Sequence, residues 1–216
     1  MKNAAKAKPV APQERDLIAQ RRIRPEPGME FRVFAYGSLM WRPDFDFTEV
    51  VPAILYGYHR AFCITSTHYR GTTEHPGLVL GLDRGGMCRG RMFRVAPEQA
   101  AAVADYLHDR EMINSCYLPK WLKVRLPNDD QENANREAGN RVTEEETTAL
   151  AFVADRSHPD YTGRLEDDGI VARIATASGI MGRNLDYLRN TVAHLDDLGI
   201  KECRLHRILR RLDAAG

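Results

Sequence analysis

The 216-residue chain lacks most of the features that mark large protein classes. No apolar run approaches the roughly 18 residues that a membrane-spanning helix needs. No strong charge bias exists: 31 Lys plus Arg face 30 Asp plus Glu, a formal net charge of +1, so neither nucleic acid nor a membrane surface is an expected partner. Cysteine is sparse. Cys63, Cys88, Cys116 and Cys203 are scattered without close pairing, which reads as reduced thiols in a cytosol and not as a disulfide framework. The lysines of residues 1–10 precede no apolar h-region or cleavage pattern, so no secretory signal is expected.

Common catalytic signatures are missing as well. There is no Gly-x-x-x-x-Gly-Lys-Ser/Thr phosphate loop and no Gly-x-Gly-x-x-Gly. Met40 stands where a Gly-x-Ser-x-Gly elbow around Ser38 would need its second glycine. His59, His68 and His75 are irregularly spaced and have no Cys-x-x-Cys partner, so no metal site is expected. Arg207, Arg210 and Arg211 read most simply as a solvated helix face.

What is present suits one globular domain, at 43% hydrophobic and 28% charged residues. Residues 1–29, rich in Ala, Lys, Pro and Arg, read as a flexible N-terminal tail ahead of a domain over 30–216. Phe31 to Tyr36 is an expected strand. Val50 to Thr65 forms two short strands or one strand bent at Gly57. Leu78 to Leu82 and Gly90 to Val95, separated by Asp83-Arg84-Gly85-Gly86, resemble a hairpin. Pro97 opens a helix that runs to about Arg110 or Glu111. Tyr117 to Leu126 and Thr147 to Ala154 are strands around a polar segment, 128–146. Asp167 to Ser178, Asn184 to Leu198 and Arg204 to Leu212 are helical, with Gly179, Gly182 and Gly199 as stops. The expected class is α+β: an antiparallel or mixed sheet curling toward a barrel, with helices packed on it.

Two segments carry the chemistry. In Tyr36-Gly37-Ser38-Leu39 a strand runs straight into a small tight turn, which can aim several backbone N–H groups at one anion. About 75 residues later comes Tyr106-Leu107-His108-Asp109-Arg110-Glu111. Glu111 lies at a helix end before apolar Met112 and Ile113, and a carboxylate against apolar neighbours has a raised pKa suited to proton exchange. A surface ion pair with Arg110 is the competing and commoner fate of such a dipeptide. Tyr36, Tyr117 and Tyr161 are candidate hydroxyl donors, and Ser157 to Gly163 is a loop of the kind that carries binding residues.

Taken together, several motifs resemble the ChaC-like, glutathione-specific γ-glutamylcyclotransferases. They are Tyr36 to Trp41, Tyr56 to Phe62 with Tyr69-Arg70-Gly71-Thr72 and Pro76-Gly77, Tyr106 to Glu111, His158 to Gly163, and Ile174 to Gly179 with Gly182 to Leu188. They fall in order over roughly residues 31–200. The resemblance implies a mixed, partly closed β-barrel-like sheet with flanking helices. It implies Glu111 as catalytic acid/base and Tyr36, Gly37, Ser38 and Leu39 as the substrate loop, with Tyr117, Tyr161 and Arg70 also touching substrate. The implied reaction splits glutathione into 5-oxoproline and Cys-Gly by attack of the α-amine on the γ-carbonyl, in the cytoplasm, with no cofactor. Other γ-glutamyl amino acids or amines are alternative substrates, and a non-catalytic small-molecule-binding protein is the alternative class. Oligomeric state is open, a monomer being favoured.

Overall fold

The computed structural model describes residues 22–112, 115–127 and 145–215. Five strands form a closed barrel in the order β1-β3-β2-β4-β5. Strand β1 (Phe31–Ala35) pairs antiparallel with the far end of β3 (Gly77–Val95), from Phe31 opposite Val95 to Ala35 opposite Arg91. β2 (Glu49–Ser66) runs the whole length of β3, and β4 (Tyr117–Leu126) forms an antiparallel pair with β5 (Glu145–Ala154). An antiparallel bridge from Ile54 to Arg125 and a parallel one from Val33 to Leu150 close the ring. The sheet is therefore mixed, as the resemblance implied, and its barrel is closed where a partly closed one was expected.

Period-two alternation sorts the strand residues onto two faces. Phe34, Leu55, Leu82, Met92, Val124 and Ala151 come from all five strands and pack together without any helix residue, so they fill the barrel. A second cluster, with Phe31, Val33 and Phe62 and with Leu78 and Leu80 from the start of β3, packs the sheet against the helices α1 (Ala100–Glu111), α2 (Asp167–Thr176), α3 (Asn184–Asp197) and α4 (Cys203–Ala215). Among the described residues no helix is long and apolar enough to cross a membrane.

The expected hairpin over 78–95 is not formed. β3 passes through Gly85 and Gly86, and both halves of it pair with β2. The register steps from Tyr56 opposite Met87 to Tyr58 opposite Arg84, which leaves Gly57 facing the glycine pair. All three have positive φ (+81°, +102° and +69°). The glycines make a bulge that bends a continuous ribbon instead of reversing the chain. Of the two readings for 50–65, the single strand bent at Gly57 is the one observed.

On α4, Arg207, Arg210 and Arg211 lie on an exposed face, as expected. Arg207 and Arg211 form surface ion pairs with Asp167 (2.7 Å) and Asp168 (2.5 Å) at the start of α2, and Arg204 also binds Asp167 (2.9 Å). Gly179 and Gly182 do not simply stop helices, because they sit in a two-strand hairpin, β6 (Ser178–Gly179) and β7 (Gly182–Arg183). Gly199, at φ +68°, closes α3 with bonds from its own N–H to Asp196 and from Ile200 N–H to Leu195, a Schellman end. Within the stretch read as a tail, Ile23 is buried in the helix-side core and Arg22 pairs with Asp105 at 2.8 Å. Residues 1–21, and 128–144 of the polar segment, lie outside the described residues.

One join positions the later site. β1 covers β3 only from Arg91 to Val95, so near its start β3 has no second strand partner among the described residues. There the fully buried Asn184 side chain takes the place of a strand. Its Oδ1 accepts from Leu78 N–H (2.6 Å) and its Nδ2 donates to Leu78 O (2.8 Å). Asn184→Ala would leave both backbone groups buried and unpaired, so it is expected to cost about 2–4 kcal/mol. Thermal denaturation should show this as a midpoint lowered by about 5–15 °C.

Candidate active site

The Tyr36–Leu39 turn leaves β1 at the edge of the barrel. Tyr36 buries its ring among barrel residues, and its carbonyl accepts a bond from the buried Arg60 Nε at 2.5 Å. Arg60 also donates to Arg89 O (2.8 Å) and pairs with Glu202, so the root of the turn is tied down from within. A single 3-10 turn, Ser38–Met40, follows, closed by Met40 N–H to Gly37 O at 2.9 Å. The first N–H groups of any helical turn have no partner within it. Those of Gly37, Ser38 and Leu39 donate to no other backbone group among the described residues.

Helix α1 brings the acid to this turn. Leu107 and Met112 are buried almost completely, which fixes the rotation and the end of the helix. Arg110 then reaches across to the loop. Its Nη2 donates to Ser38 Oγ (3.1 Å), and its Nη1 donates to Arg42 O (2.8 Å), Pro43 O (3.2 Å) and Tyr106 Oη (2.8 Å). Its Nε lies 3.3 Å from Glu111 Oε1. The side chains of Arg110 and Glu111 keep only 20% and 18% of their exposure, so this is a site pair and not a surface pair. Burial raises the Glu111 carboxyl above its ordinary value, and the adjoining guanidinium works against that rise.

The cleft has two ends. A small inner space of about 70 Å³ is lined by Tyr36, Gly37, Ser38 and Leu39 on one side and by Glu111, Tyr117 and Tyr187 on the other. An outer space of about 670 Å³ shares Ser38, Glu111, Tyr117 and Tyr187 and adds Arg42, Tyr69, Arg70, Cys116 and His194. Trp41, from the loop, stacks on His194 of α3 with centroids 4.6 Å apart and so holds the two walls together. Tyr36 is buried and Tyr117 partly so, and desolvation of their hydroxyls, assisted by neighbouring ionisable groups including Glu111, holds both phenols well above their ordinary value.

The structure thus gathers Tyr36, Gly37, Ser38, Leu39, Glu111 and Tyr117 around one space and places Arg70 on the wall of the adjoining one. Tyr161 lines neither. Its hydroxyl donates to Asp83 Oδ2 (3.0 Å), the other oxygen of that carboxylate holds Arg156 (2.8 Å), and its ring packs on a small cluster that includes Cys63, Ile64 and Cys116. Sequence reasoning missed Tyr187 and the bracing role of Arg110. The polar row Asn184, Tyr187 and Thr191, at spacing three and four on the inner side of α3, is the signal that marks Tyr187, since a buried phenol needs a polar partner.

A family model described as "ChaC-like protein" matches residues 31–214. This chain belongs to the ChaC-like family. The glutathione-specific γ-glutamylcyclotransferase of Escherichia coli K12 is 37% identical over 193 residues, covering 89% of this chain and 77% of that one. Glutathione-specific γ-glutamylcyclotransferase 1 of Mus musculus is 33% identical over 158 residues, and the match spans 72% of this ChaC-like chain and 65% of the mouse protein. A crystal structure of a yeast γ-glutamyl cyclotransferase specific to glutathione superposes with a TM-score of 0.71 at 23% identity, covering 86% of this chain and 96% of that one, so the fold is shared.

Two predictions follow from the local electrostatics. Because Glu111 is raised, its basic form is lost at higher pH than in an exposed glutamate. The acid limb of kcat/KM is therefore expected above the ordinary carboxylate pKa of about 4.3. Cys63, Cys88 and Cys116 are buried, and burial pushes their thiols up to about 12, 11 and 12, whereas Cys203 is exposed. Iodoacetamide at neutral pH is expected to label Cys203 alone in the folded protein, read by mass spectrometry, although Cys116 lines the cleft.

Proposed function

We propose that this ChaC-like protein cleaves glutathione into 5-oxoproline and cysteinylglycine. The observation that carries this reading is Glu111, largely stripped of water and braced by Arg110, facing the free amides of the Tyr36–Leu39 turn across one narrow space. A γ-glutamyl group contains its own nucleophile, because folding it back brings the α-amine onto the γ-carbonyl carbon and closes a five-membered ring. The enzyme then needs only to hold that conformer and move protons.

The turn amides of Gly37, Ser38 and Leu39 bind the α-carboxylate and fix the bent conformer. Orientation of this kind is worth up to about 7–11 kcal/mol in well-placed intramolecular reactions. Two protons must travel from the attacking nitrogen to the departing one. Glu111 takes each in turn and passes it on, beginning and ending as a carboxylate. Such transfer contributes roughly 10²–10⁴-fold. The Cys-Gly portion extends into the outer space, where Arg42 and Arg70 supply positive charge for a terminal carboxylate. That room and charge favour glutathione over short γ-glutamyl amines. The free cysteines fit a reducing compartment such as the cytoplasm.

Incubation with glutathione, with and without a chelator, is expected to release 5-oxoproline and cysteinylglycine in both cases; no 5-oxoproline would refute the reading. Glu111→Gln is expected to lower kcat by about 10²–10⁴-fold. The same change should not lower the thermal midpoint. A carboxylate whose folded-state pKa is raised subtracts from stability at neutral pH, and the neutral amide removes that cost.

A further inference from the structure

Tyr187 has no part in the scheme above, yet it lines both ends of the cleft beside Glu111. Its environment, compared with that of Tyr117, assigns it one. Leu80 lies two residues beyond Leu78 on β3, so its N–H and C=O point to the same side, where β3 has no strand neighbour. Both groups are taken by phenols. Tyr117 donates its hydroxyl proton to Leu80 O at 2.8 Å, whereas Tyr187 Oη accepts the N–H of Leu80 at 3.3 Å.

The two hydroxyls are thereby left with opposite capacities. A phenol has one proton and can also accept. Tyr117 has committed its proton to the backbone and offers substrate only lone pairs. Tyr187 has committed a lone pair and keeps its proton. Thr191, one turn further along α3, donates to the Tyr187 carbonyl (2.8 Å), and its hydroxyl also lies within hydrogen-bond reach of the Tyr187 phenol. The guanidinium of Arg70 lies 5.2 Å from the centre of the Tyr187 ring and is anchored by a 2.5 Å bond from Nη1 to Met181 O. A cation over the ring face draws electron density from the phenol and strengthens its O–H as a donor. Burial raises the Tyr187 hydroxyl above its ordinary value, so it is protonated at neutral pH.

We infer that Tyr187 is a catalytic residue whose hydroxyl donates a hydrogen bond to the γ-carbonyl oxygen as that oxygen becomes an oxyanion, with Arg70 as the positioning residue behind it. In the step concerned, the α-amine nitrogen bonds to the γ-carbon and the carbonyl π pair moves onto oxygen, where Tyr187 stabilises it without giving up its proton. When the pair returns, the bond from the γ-carbon to the cysteine nitrogen breaks and Glu111 delivers a proton to that nitrogen. Tyr117, able only to accept, suits the N–H groups of the attacking amine. The inference deepens the ring-closing reading and rests on it.

The test measures kcat and KM on glutathione. Tyr187→Phe is expected to lower kcat about 10²–10³-fold with KM changed less than about threefold, because the donor acts only on charge that develops in the transition state. Phenylalanine also leaves Leu80 N–H unpaired, so an isosteric variant keeps the question answerable. A polyfluorinated tyrosine at position 187, a more acidic phenol, is expected to bring the alkaline limb of kcat to lower pH than in the wild type. An active wild type, with Tyr187→Phe within about threefold of its kcat or with an unmoved alkaline limb, overturns the assignment and leaves the ring-closing reading intact. A wild type that releases no 5-oxoproline overturns both.

Discussion

The bare edge of β3 between Leu78 and Leu80 constrains everything around the cleft. Its backbone groups are buried and must be satisfied, and an unmet pair there would cost a sizeable share of a domain's 5–15 kcal/mol of stability. No strand is available, because β1 is short and ends elsewhere on β3. Asn184, Tyr187 and Tyr117 serve instead as a surrogate strand. Two of the three lie on α3 at spacing three, so meeting the need of the sheet also fixes the rotation of that helix about its axis. The phenols are where they are because the backbone requires them, and the cleft inherits their placement.

The second constraint is the buried acid. A carboxylate taken out of water without a partner is expensive, and a carboxylate fully neutralised by a partner is a poor proton carrier. Arg110 resolves the conflict by dividing its attention. Four of its hydrogen bonds go to Ser38, the loop carbonyls and Tyr106, and only the Nε contact at 3.3 Å goes to Glu111. The acid is tolerated without being quenched, and the same guanidinium stitches the substrate loop to the helix. A lysine, with a single charged nitrogen, has no comparable fork to reach both.

Local pattern made most of the architecture legible. Strands β1, β4 and β5 and the four helices follow from alternation, three-and-four spacing and capping residues, and Tyr36–Leu39 and Glu111 stand out as a turn and a dry acid. What pattern could not reveal was partnership at a distance. Gly85-Gly86 carries the chemistry of a reversal, and only the presence of an equally long β2 makes it a bulge. Arg207 and Arg211 do lie on a solvated face, but nothing local shows that Asp167 and Asp168 meet them across 40 and 43 residues. Sequence alone favoured Tyr161 as a site residue and passed over Tyr187. Asp83 draws the first away from the cleft, and Leu80 draws the second into it.

The glycine bend in the long ribbon divides labour within a single pair of strands. On one side of Gly57 and Gly85-Gly86 the ribbon helps close the barrel; on the other it carries Leu78, Leu80, Ser66 and the approach to Arg70. Apart from Leu82, which packs into the barrel from the far side of the bend, barrel filling and cleft building are thus delegated to different stretches of the same hydrogen-bonded ladder. Descendants of this sequence can exchange barrel side chains for others of similar volume while the arm beyond the bend keeps its polar contacts. That separation suggests where a protein engineer would graft a new pocket: past the glycines, onto an arm whose foundation can be left alone.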